Sequence, residues 1–344
     1  MFNVLMTSGG RRVELLNAFR LALKQNGSIL AADCDPTAPV LFAADGAGLL
    51  PKVTDSDYIE RLLEMCRVSD VKLVVPLIDP ELPVLAKARD AFLGYDIVLA
   101  VSHEECVRIA SDKLLTARFF GEIGVPTATT VDIRNYLIDA EIQALLEFPV
   151  VVKPRTGSAG KQVSVCNNYQ EVVYYSSKLR EDDCIVQEYL RGNEVTIDIF
   201  SDGYGNLIEM VPRQRLKTRG GEVERGLTIA LNDFVSFVES IVAALKPYGV
   251  INVQCFNTSV GPMFTEINAR FGGGYPLAHV AGACFPELLI DLAMGKRIVS
   301  RVGQYTQNIL MTRYDSAFYA YMDDVRAGNW ASTVCGMAGK GGLV

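Results

Sequence analysis

Apolar positions along the chain switch repeatedly between two periods. Residues 2–6 form a short apolar run, and Thr7-Ser8-Gly9-Gly10-Arg11-Arg12 follows it. Val13, Leu15, Leu16, Phe19 and Leu23 then recur at helical spacing, so the opening predicts strand, glycine loop and helix. Residues 28–32, ending at Asp33 and Asp35, and residues 71–76, leading to Asp79 and Glu81, predict two more strands. Strands that alternate with helices build an open parallel α/β sheet, whose ligand crevice lies at the carboxyl ends of its strands. Residues 7–12 and 79–81 fall at that edge.

Residues 96–101 read as strand, and Ser102 with Glu105 three positions on has the capping-box pattern of a helix start. A second helix is expected from Ser111-Asp112-Lys113 to the breaker Gly124-Val125-Pro126, and the first domain boundary is expected near residue 110. Residues 148–154 are a β run ending in Lys153-Pro154, separated from a strand at 162–166 by Arg155-Thr156-Gly157-Ser158-Ala159-Gly160-Lys161. Helix is expected over 168–180 and strand over 184–190, which runs into Arg191-Gly192-Asn193-Glu194. Residues 212–226 crowd Arg213, Arg215, Lys217, Arg219 and Arg225 into a glycine-containing connection, either a solvated turn or a cation cluster for a phosphate. After a helix over 232–245, residues 250–256 and the run from Phe264 read as a hairpin about Thr258-Ser259-Val260-Gly261-Pro262. Its simplest register sets Gln254 opposite Glu266. Residues 277–282 and 287–294 read as further helix.

Composition narrows the class. A chain of 344 residues suggests two or three domains with ample core, and 49% hydrophobic against 21% charged residues excludes disorder. The net charge of -7 argues against nucleic-acid or anionic-membrane partners, leaving small anions bound by local basic clusters. Eight cysteines are scattered without C-x-x-C spacing and read as reduced core residues; with no signal-peptide pattern and no apolar run of spanning length, the expectation is a cytoplasmic protein. His103 and His279 have no second metal-binding neighbour in sequence, so a His-ligated metal is not expected.

Three stretches carry candidate chemistry. Gly9-Gly10 before a helix is either a tight turn or a resting place for a substrate carboxylate. In the 155–161 loop, small residues let backbone N–H groups approach phosphates while Lys153, Arg155 and Lys161 oppose their charge, although the Walker spacing is absent. In the run Phe264-Thr265-Glu266-Ile267-Asn268-Ala269-Arg270-Phe271-Gly272-Gly273-Gly274, strand alternation projects Glu266 and Asn268 together. With Gln254 opposite, they are either a solvated sheet face or an oxygen ligand set suited to Mg²⁺. The triple glycine is either backbone close to a substrate or a plain loop.

Taken in order, Ser111-Asp112-Lys113, Val151-Val152-Lys153-Pro154 with its glycine loop, Gln187-Glu188-Tyr189 before Glu194, then Gln254, and Glu266-Ile267-Asn268-Ala269-Arg270-Phe271 resemble the ATP-grasp superfamily. The likeness is to its carbamoyl phosphate synthetase-like, single-module members and covers about residues 1–300. It implies an N-terminal parallel α/β pre-ATP-grasp domain (1–110), a mobile lid or central subdomain (111–186) and a C-terminal ATP-grasp subdomain (187–300). The tail, 301–344, lies outside the motifs and would form an accessory subdomain or the contact of a homodimer. The resemblance also implies roles. Lys113 and Lys153 would contact ATP phosphates, with Gly157, Ser158, Gly160 and Lys161 closing over them. Gln187, Glu188, Tyr189 and Leu190 would lie against adenine, Glu194 on ribose, and Glu266, Asn268 and Gln254 on Mg²⁺ or Mn²⁺. Arg270 would face an acyl phosphate, with Arg215 or Arg225 able to reach it.

The expected function is an ATP- and Mg²⁺-dependent ligase that activates a small carboxylate as an acyl phosphate and joins it to an amine or thiol. Such transfer is catalysed by positioning and charge neutralisation and needs no Ser, Cys or His nucleophile. The alternative is a catalytically silent ATP-binding subunit that regulates or scaffolds a partner. Having a single module, the chain is not expected to make carbamoyl phosphate by itself.

Overall fold

The computed structural model describes residues 1–157, 162–179 and 183–331, arranged in two units. The first comprises Met1–Glu81, Ala88–Leu99 and the described part of the segment from Tyr314. It contains β1 (Asn3–Thr7), α1 (Val13–Leu23), β2 (Ile29–Asp33), α2 (Pro39–Ala43), β3 (Gly46–Leu49), α3 (Tyr58–Val68), β4 (Val71–Pro76), both ends of α4 (Glu81–Leu93) and β5 (Val98–Leu99). All strand pairings are parallel, in the order β3-β2-β1-β4-β5. Helical crossovers force this arrangement, because parallel neighbours cannot be joined by a tight turn. Strand order reverses at β1, so its carboxyl end opens the crevice.

The loop after β1 is held from both sides. Ser8 and Gly10 have φ of 49° and 53°, the left-handed conformations of a sharp turn, and Gly10 N donates to Asp33 Oδ2 at 3.0 Å. Glu81 is fully buried, where Thr7 Oγ1 (3.0 Å), Ser8 Oγ (2.8 Å) and Tyr58 Oη (2.5 Å) donate to its carboxylate. Burial raises the Glu81 pKa, and those donors oppose the rise. Glu81 therefore sits at the expected edge but is enclosed by hydroxyls.

The second unit, Leu82–Lys87 with Ala100–Arg313, carries two antiparallel sheets. It begins with α5 (Glu104–Ser111) and α6 (Lys113–Glu122), followed by β6 (Thr130–Asp132), α7 (Ile133–Ile138), α8 (Ala140–Gln143), β7 (Val150–Pro154), β8 (Ser164–Cys166), α9 (Tyr169–Ser176) and β9 (Cys184–Glu188). Strands β6-β9-β7-β8 form the smaller sheet, whose core is Ile133, Tyr136, Val150, Val152, Cys166, Val172, Cys184 and Val186. Asp112 caps α6 by accepting from the backbone N–H of Leu114 and Leu115. The expected cap of the preceding helix shifts by one residue. His103 accepts from Cys106 N there, while Ser102 Oγ accepts from Tyr248 N at 3.0 Å.

The larger sheet is built from β10 (Asn193–Asp202), β11 (Leu207–Arg219), β12 (Glu222–Thr228), β13 (Tyr248–Thr258), β14 (Gly261–Asn268) and β15 (Leu310–Thr312), in the order β14-β13-β10-β11-β12-β15. Helix α10 (Val235–Leu245) leads into β13, and α11 (Tyr275–Val280) and α12 (Phe285–Ala293) follow β14; α13 (Met322–Arg326) belongs to the first unit. The cation-rich stretch expected as a connection is instead the hairpin β11–β12, turned at Gly220-Gly221. Its alternation is hard to see in sequence because polar residues occupy both faces near the tip. Of the seven described cysteines five are buried, and Cys34 is exposed. No helix of the described residues is long and apolar enough to cross a membrane.

Glu209 is the costly residue of this core. It is 1% exposed, and neither carboxylate oxygen has a hydrogen-bond partner among the described residues. Burial pushes its pKa up from 4.5 to about 7, with Arg301 opposing. The native state then holds a proton that the unfolded chain releases, so stability falls as pH rises from 4.5 through 7 and stays reduced above. That shift corresponds to at most about 3 kcal/mol. Glu209→Gln is expected to raise Tm by several degrees at pH 8 and far less at pH 4.5, checked by thermal unfolding at both; equal effects would contradict a buried, protonated carboxyl.

Candidate active site

The hairpin β13–β14 pairs Asn252 with Asn268, Val253 with Ile267 and Gln254 with Glu266, the register expected from sequence. One step further the register shifts, and Cys255 pairs with Phe264. Thr265 is thus an extra residue in β14, and its Oγ1 donates to Gln254 O at 3.2 Å. Without this bulge Phe264 and Glu266 would share a face. With it, Phe264 packs against Phe120 and Phe237, at centroid distances of 5.7 and 5.8 Å, while Glu266 joins Gln254, Asn252 and Asn268 on the opposite face. Glu194, Thr196 and Asp198 of β10 and Arg213 and Arg215 of β11 lie in the same row.

Within the second unit, charges from both sheets converge. Lys153 on β7 donates through Nζ to Gln187 Oε1 at 2.7 Å, and Gln187 Nε2 donates to Thr130 Oγ1 at 2.7 Å. Loss of water around the ammonium lowers the Lys153 pKa to about 8; Glu266 and Glu194 lie close enough to oppose that shift, and Lys113 close enough to add to it. Burial raises the Glu194 pKa, with Arg215 and Lys153 opposing and Glu266 reinforcing. Arg215 Nη1 donates to Glu194 Oε1 at 2.5 Å and to Gln254 Oε1 at 3.4 Å, and Nη2 donates to Gly221 O at 3.0 Å. Lys113, Lys153, Glu194, Arg215, Gln254 and Glu266 therefore form one electrostatic cluster.

Other expected residues have more local partners. Lys113 Nζ donates to Gly157 O at 2.6 Å, which ties α6 to the root of the small-residue loop. Arg155 is engaged by Asp112, with Nη2 and Oδ2 2.6 Å apart. Ser158, Gly160 and Lys161 lie outside the described residues. Glu188 Oε2 accepts from Thr129 N at 3.1 Å, and Tyr189 and Leu190 follow β9 with Tyr189 exposed. Arg225 is exposed on β12 near Glu224. Arg270 Nη1 donates to Phe271 O at 3.2 Å, and its Nη2 lies 3.5 Å from Asn268 Oδ1.

Several pairings were not read from the sequence. Asp198 and Arg213 form a buried pair, Asn252 joins the β14 row, and Thr130 holds Gln187. The usable signal was alternation: Glu194, Thr196 and Asp198 are spaced by two, as are Arg213 and Arg215.

Three family profiles cover most of the chain. Residues 4–100 match the PylC-like N-terminal domain, 111–228 the ATP-grasp (A) domain of phosphoribosylglycinamide synthetase, and 180–316 an ATP-grasp family of a biosynthetic pathway with the Ter operon. The chain belongs to the ATP-grasp superfamily. Among curated relatives, a carbamoyl-phosphate synthase of Methanobrevibacter smithii is 34% identical over 198 residues, covering 55% of this chain and 49% of that protein. A phosphoribosylamine–glycine ligase of Methanocella arvoryzae is 28% identical over 255 residues, covering 65% and 57%. The chain thus spans about half the length of the first and 57% of the second. Among solved structures, the biotin carboxylase domain of Hydrogenobacter thermophilus 2-oxoglutarate carboxylase, in complex with MgADP, ADP and bicarbonate, matches with a TM-score of 0.73 at 19% identity, covering 90% of this chain and 73% of that one. N5-carboxyaminoimidazole ribonucleotide synthetase from Thermus thermophilus matches with a TM-score of 0.65 at 19% identity, covering 86% and 79%. These likenesses establish a shared ATP-grasp fold, with its N-terminal parallel domain.

The depressed Lys153 pKa has a direct readout. In competitive labelling with an amine-selective reagent, followed by peptide mass spectrometry, Lys153 is expected to reach half-maximal reactivity near pH 8, against about 10.4 for an ordinary lysine. A midpoint above about pH 10 would show that the surrounding carboxylates outweigh desolvation.

Proposed function

We propose that this ATP-grasp protein is an ATP- and Mg²⁺-dependent ligase that activates a small-molecule carboxylate as an acyl phosphate and transfers the acyl group to an amine or thiol. The observation that carries the reading is the convergence of Lys153 and Lys113 from one side with Glu194, Glu266 and Arg215 from the larger sheet. Family relationship and charge arrangement point the same way. In this reading Lys113 and Lys153 hold the transferred phosphates, and Gly157 begins the loop that closes over them, with Ser158, Gly160 and Lys161. The smaller sheet is then the lid. Glu194 takes the ribose hydroxyls, and Glu188, Tyr189 and Leu190 border the adenine. Gln187, committed to Lys153 and Thr130, serves chiefly to aim the lysine.

The ligand set of β13–β14 fits Mg²⁺. Glu266 supplies a carboxylate, Gln254 and Asn268 supply amide oxygens, and Asn268 Nδ2 lies 3.3 Å from Asn252 Oδ1, which fixes the amide with its nitrogen toward Asn252. Among the described residues no group of three or more His, Cys, Asp or Glu is placed for a metal, so phosphate oxygens would complete the coordination. The ion, or Mn²⁺ in its place, would neutralise phosphate charge.

The reaction balances in two steps. A substrate carboxylate oxygen bonds to the γ-phosphorus as the bond to the bridging oxygen breaks, releasing ADP. The amine or thiol then bonds to the acyl carbon, phosphate leaves with the electron pair of the broken C–O bond, and the nucleophile loses its proton to solvent. Lys153, Arg215 and Arg270 oppose the charge on the oxygens, which needs no reorganisation if the groups are already fixed.

Phosphate release is expected only when ATP, Mg²⁺, an acid and a nucleophile are all present. Hydroxylamine can serve as a general nucleophile across a panel of small acids. Glu266→Gln and Lys153→Met should each lower turnover by about 10²–10³-fold, the scale of losing a preorganised charge-stabilising group. Unchanged turnover in Glu266→Gln would overturn the metal assignment, and ATP binding with no turnover across the panel would favour a silent nucleotide-binding subunit.

A further inference from the structure

Beneath the segment from Asn268 to Gly274 lies a polar network that touches none of the groups assigned to nucleotide or metal except through Asn268. Asp198 and Arg213 are 0% and 1% exposed, and Arg213 grips both carboxylate oxygens, Nε to Oδ2 at 2.5 Å and Nη2 to Oδ1 at 3.0 Å. Arg213 Nη1 is buried with no hydrogen-bond partner among the described residues. Beside them Asn252, 2% exposed, uses both ends of its amide. Its Oδ1 accepts from Asn268 Nδ2 at 3.3 Å, and its Nδ2 donates to Arg270 O at 3.0 Å.

Of the three glycines that follow, Gly272 and Gly274 lie directly on this network, and Gly273 lies against Glu222. A Cβ on Gly272 would stand 3.3 Å from Asp198 Oδ1 and 3.4 Å from Asn252 Nδ2, and one on Gly274 would stand 2.3 Å from Arg213 Nη1. None of the three has the positive φ that would call for glycine on conformational grounds, so space is the reason for them. At Gly274, and more mildly at Gly272, the backbone is seated on a buried ion pair that an added side chain would press against.

A buried ion pair is a weak device for stability, since apolar residues of similar volume often do as well or better, but it fixes direction and register. We infer that Asp198, Arg213 and Asn252 are positioning residues, which hold the Asn268–Gly274 segment so that the Asn268 amide and the Arg270 guanidinium keep a fixed relation. This rests on the proposed ligase reading for its catalytic consequence, but not for its structural one. Nothing in it requires the pair to touch a substrate.

The decisive variant replaces the pair together, Asp198→Leu with Arg213→Met, which removes direction without leaving a lone buried charge. Hydrogen exchange measured by mass spectrometry on the whole chain is expected to run at least tenfold faster in peptides covering residues 268–276, with Tm within a few degrees of the parent. Turnover in the hydroxylamine assay should fall about 10–100-fold at unchanged KM for ATP, the range seen when groups that orient ligands are lost. Gly274→Ala, which pushes on Arg213 while keeping the ion pair, should give the same two signatures and serves if the double variant does not fold. Unchanged exchange over 268–276 in a folded variant overturns the inference, as does faster exchange spread evenly over the unit. If the parent shows no turnover on any acid, the ligase reading fails, and the exchange result still decides the positioning role.

Discussion

The geometry of the site depends on one extra residue in one strand. Strand side chains alternate strictly, so Phe264 and Glu266 belong by default on the same face, yet one must enter an aromatic core and the other must face a cleft. The bulge at Thr265 resolves the conflict, and the Thr265 hydroxyl bonded to Gln254 O secures it. Phe264 is locked between Phe120 and Phe237, and its backbone N–H donates to Pro126 O at 2.8 Å. With that anchor fixed, pairing carries Gln254, Glu266, Asn252 and Asn268 into one row, and β10 and β11 extend the row to Glu194 and Arg215.

Electrostatics then shows a site balanced around charge supplied by others. Lys153 is half-buried and pushed toward neutrality by loss of water, while Glu194 and Glu266 pull it back toward the ammonium. Glu194 is in the mirror position, raised by burial and by Glu266 and held down by Arg215 and Lys153. Groups tuned against one another in this way respond strongly to any added anion or cation. Gln187 and Thr130 add a fixed direction to Lys153 that charge alone would not give. In the N-terminal unit, Asp33 and Glu81 restrain the loop after β1 from opposite sides, so that turn too is set before any ligand arrives.

Much of this was legible in the chain itself, for reasons of period and local chemistry. The strand over 71–76 and the helices from Val13 and Lys113 follow from runs that satisfy themselves with near neighbours. The Gln254–Glu266 pairing was expected from the sequence, but the structure reaches it through the Thr265 bulge: counted from the Thr258–Gly261 end without it, Gln254 would face Thr265. The ordered lysines, glycine loop and Glu-x-Asn-x-Arg run carry family information because each role needs a particular residue type at a particular point on the fold.

What the tertiary structure decided involves partners distant in sequence or pairs of faces that period does not distinguish. The bulge at Thr265 puts its neighbours Phe264 and Glu266 on opposite faces, against simple alternation, and only the packing of Phe264 demands it. Residues 212–226 look like a connection because their polar side chains hide a strand that is buried at its base and solvated at its tip. Arg213 and Arg215 have the same charge and are spaced by two, yet one closes on Asp198 inside the sheet and the other meets Glu194 at the cleft. Arg155 and Gln187 read as ligand-facing from the sequence, and the fold adds partners that no local pattern shows, Asp112 for the first and Lys153 and Thr130 for the second. By itself the sequence determined which elements form and which chemistry is present, since those depend on neighbours along the chain. Which charge meets which, and why three glycines must follow Arg270, depended on side chains brought together from separate strands.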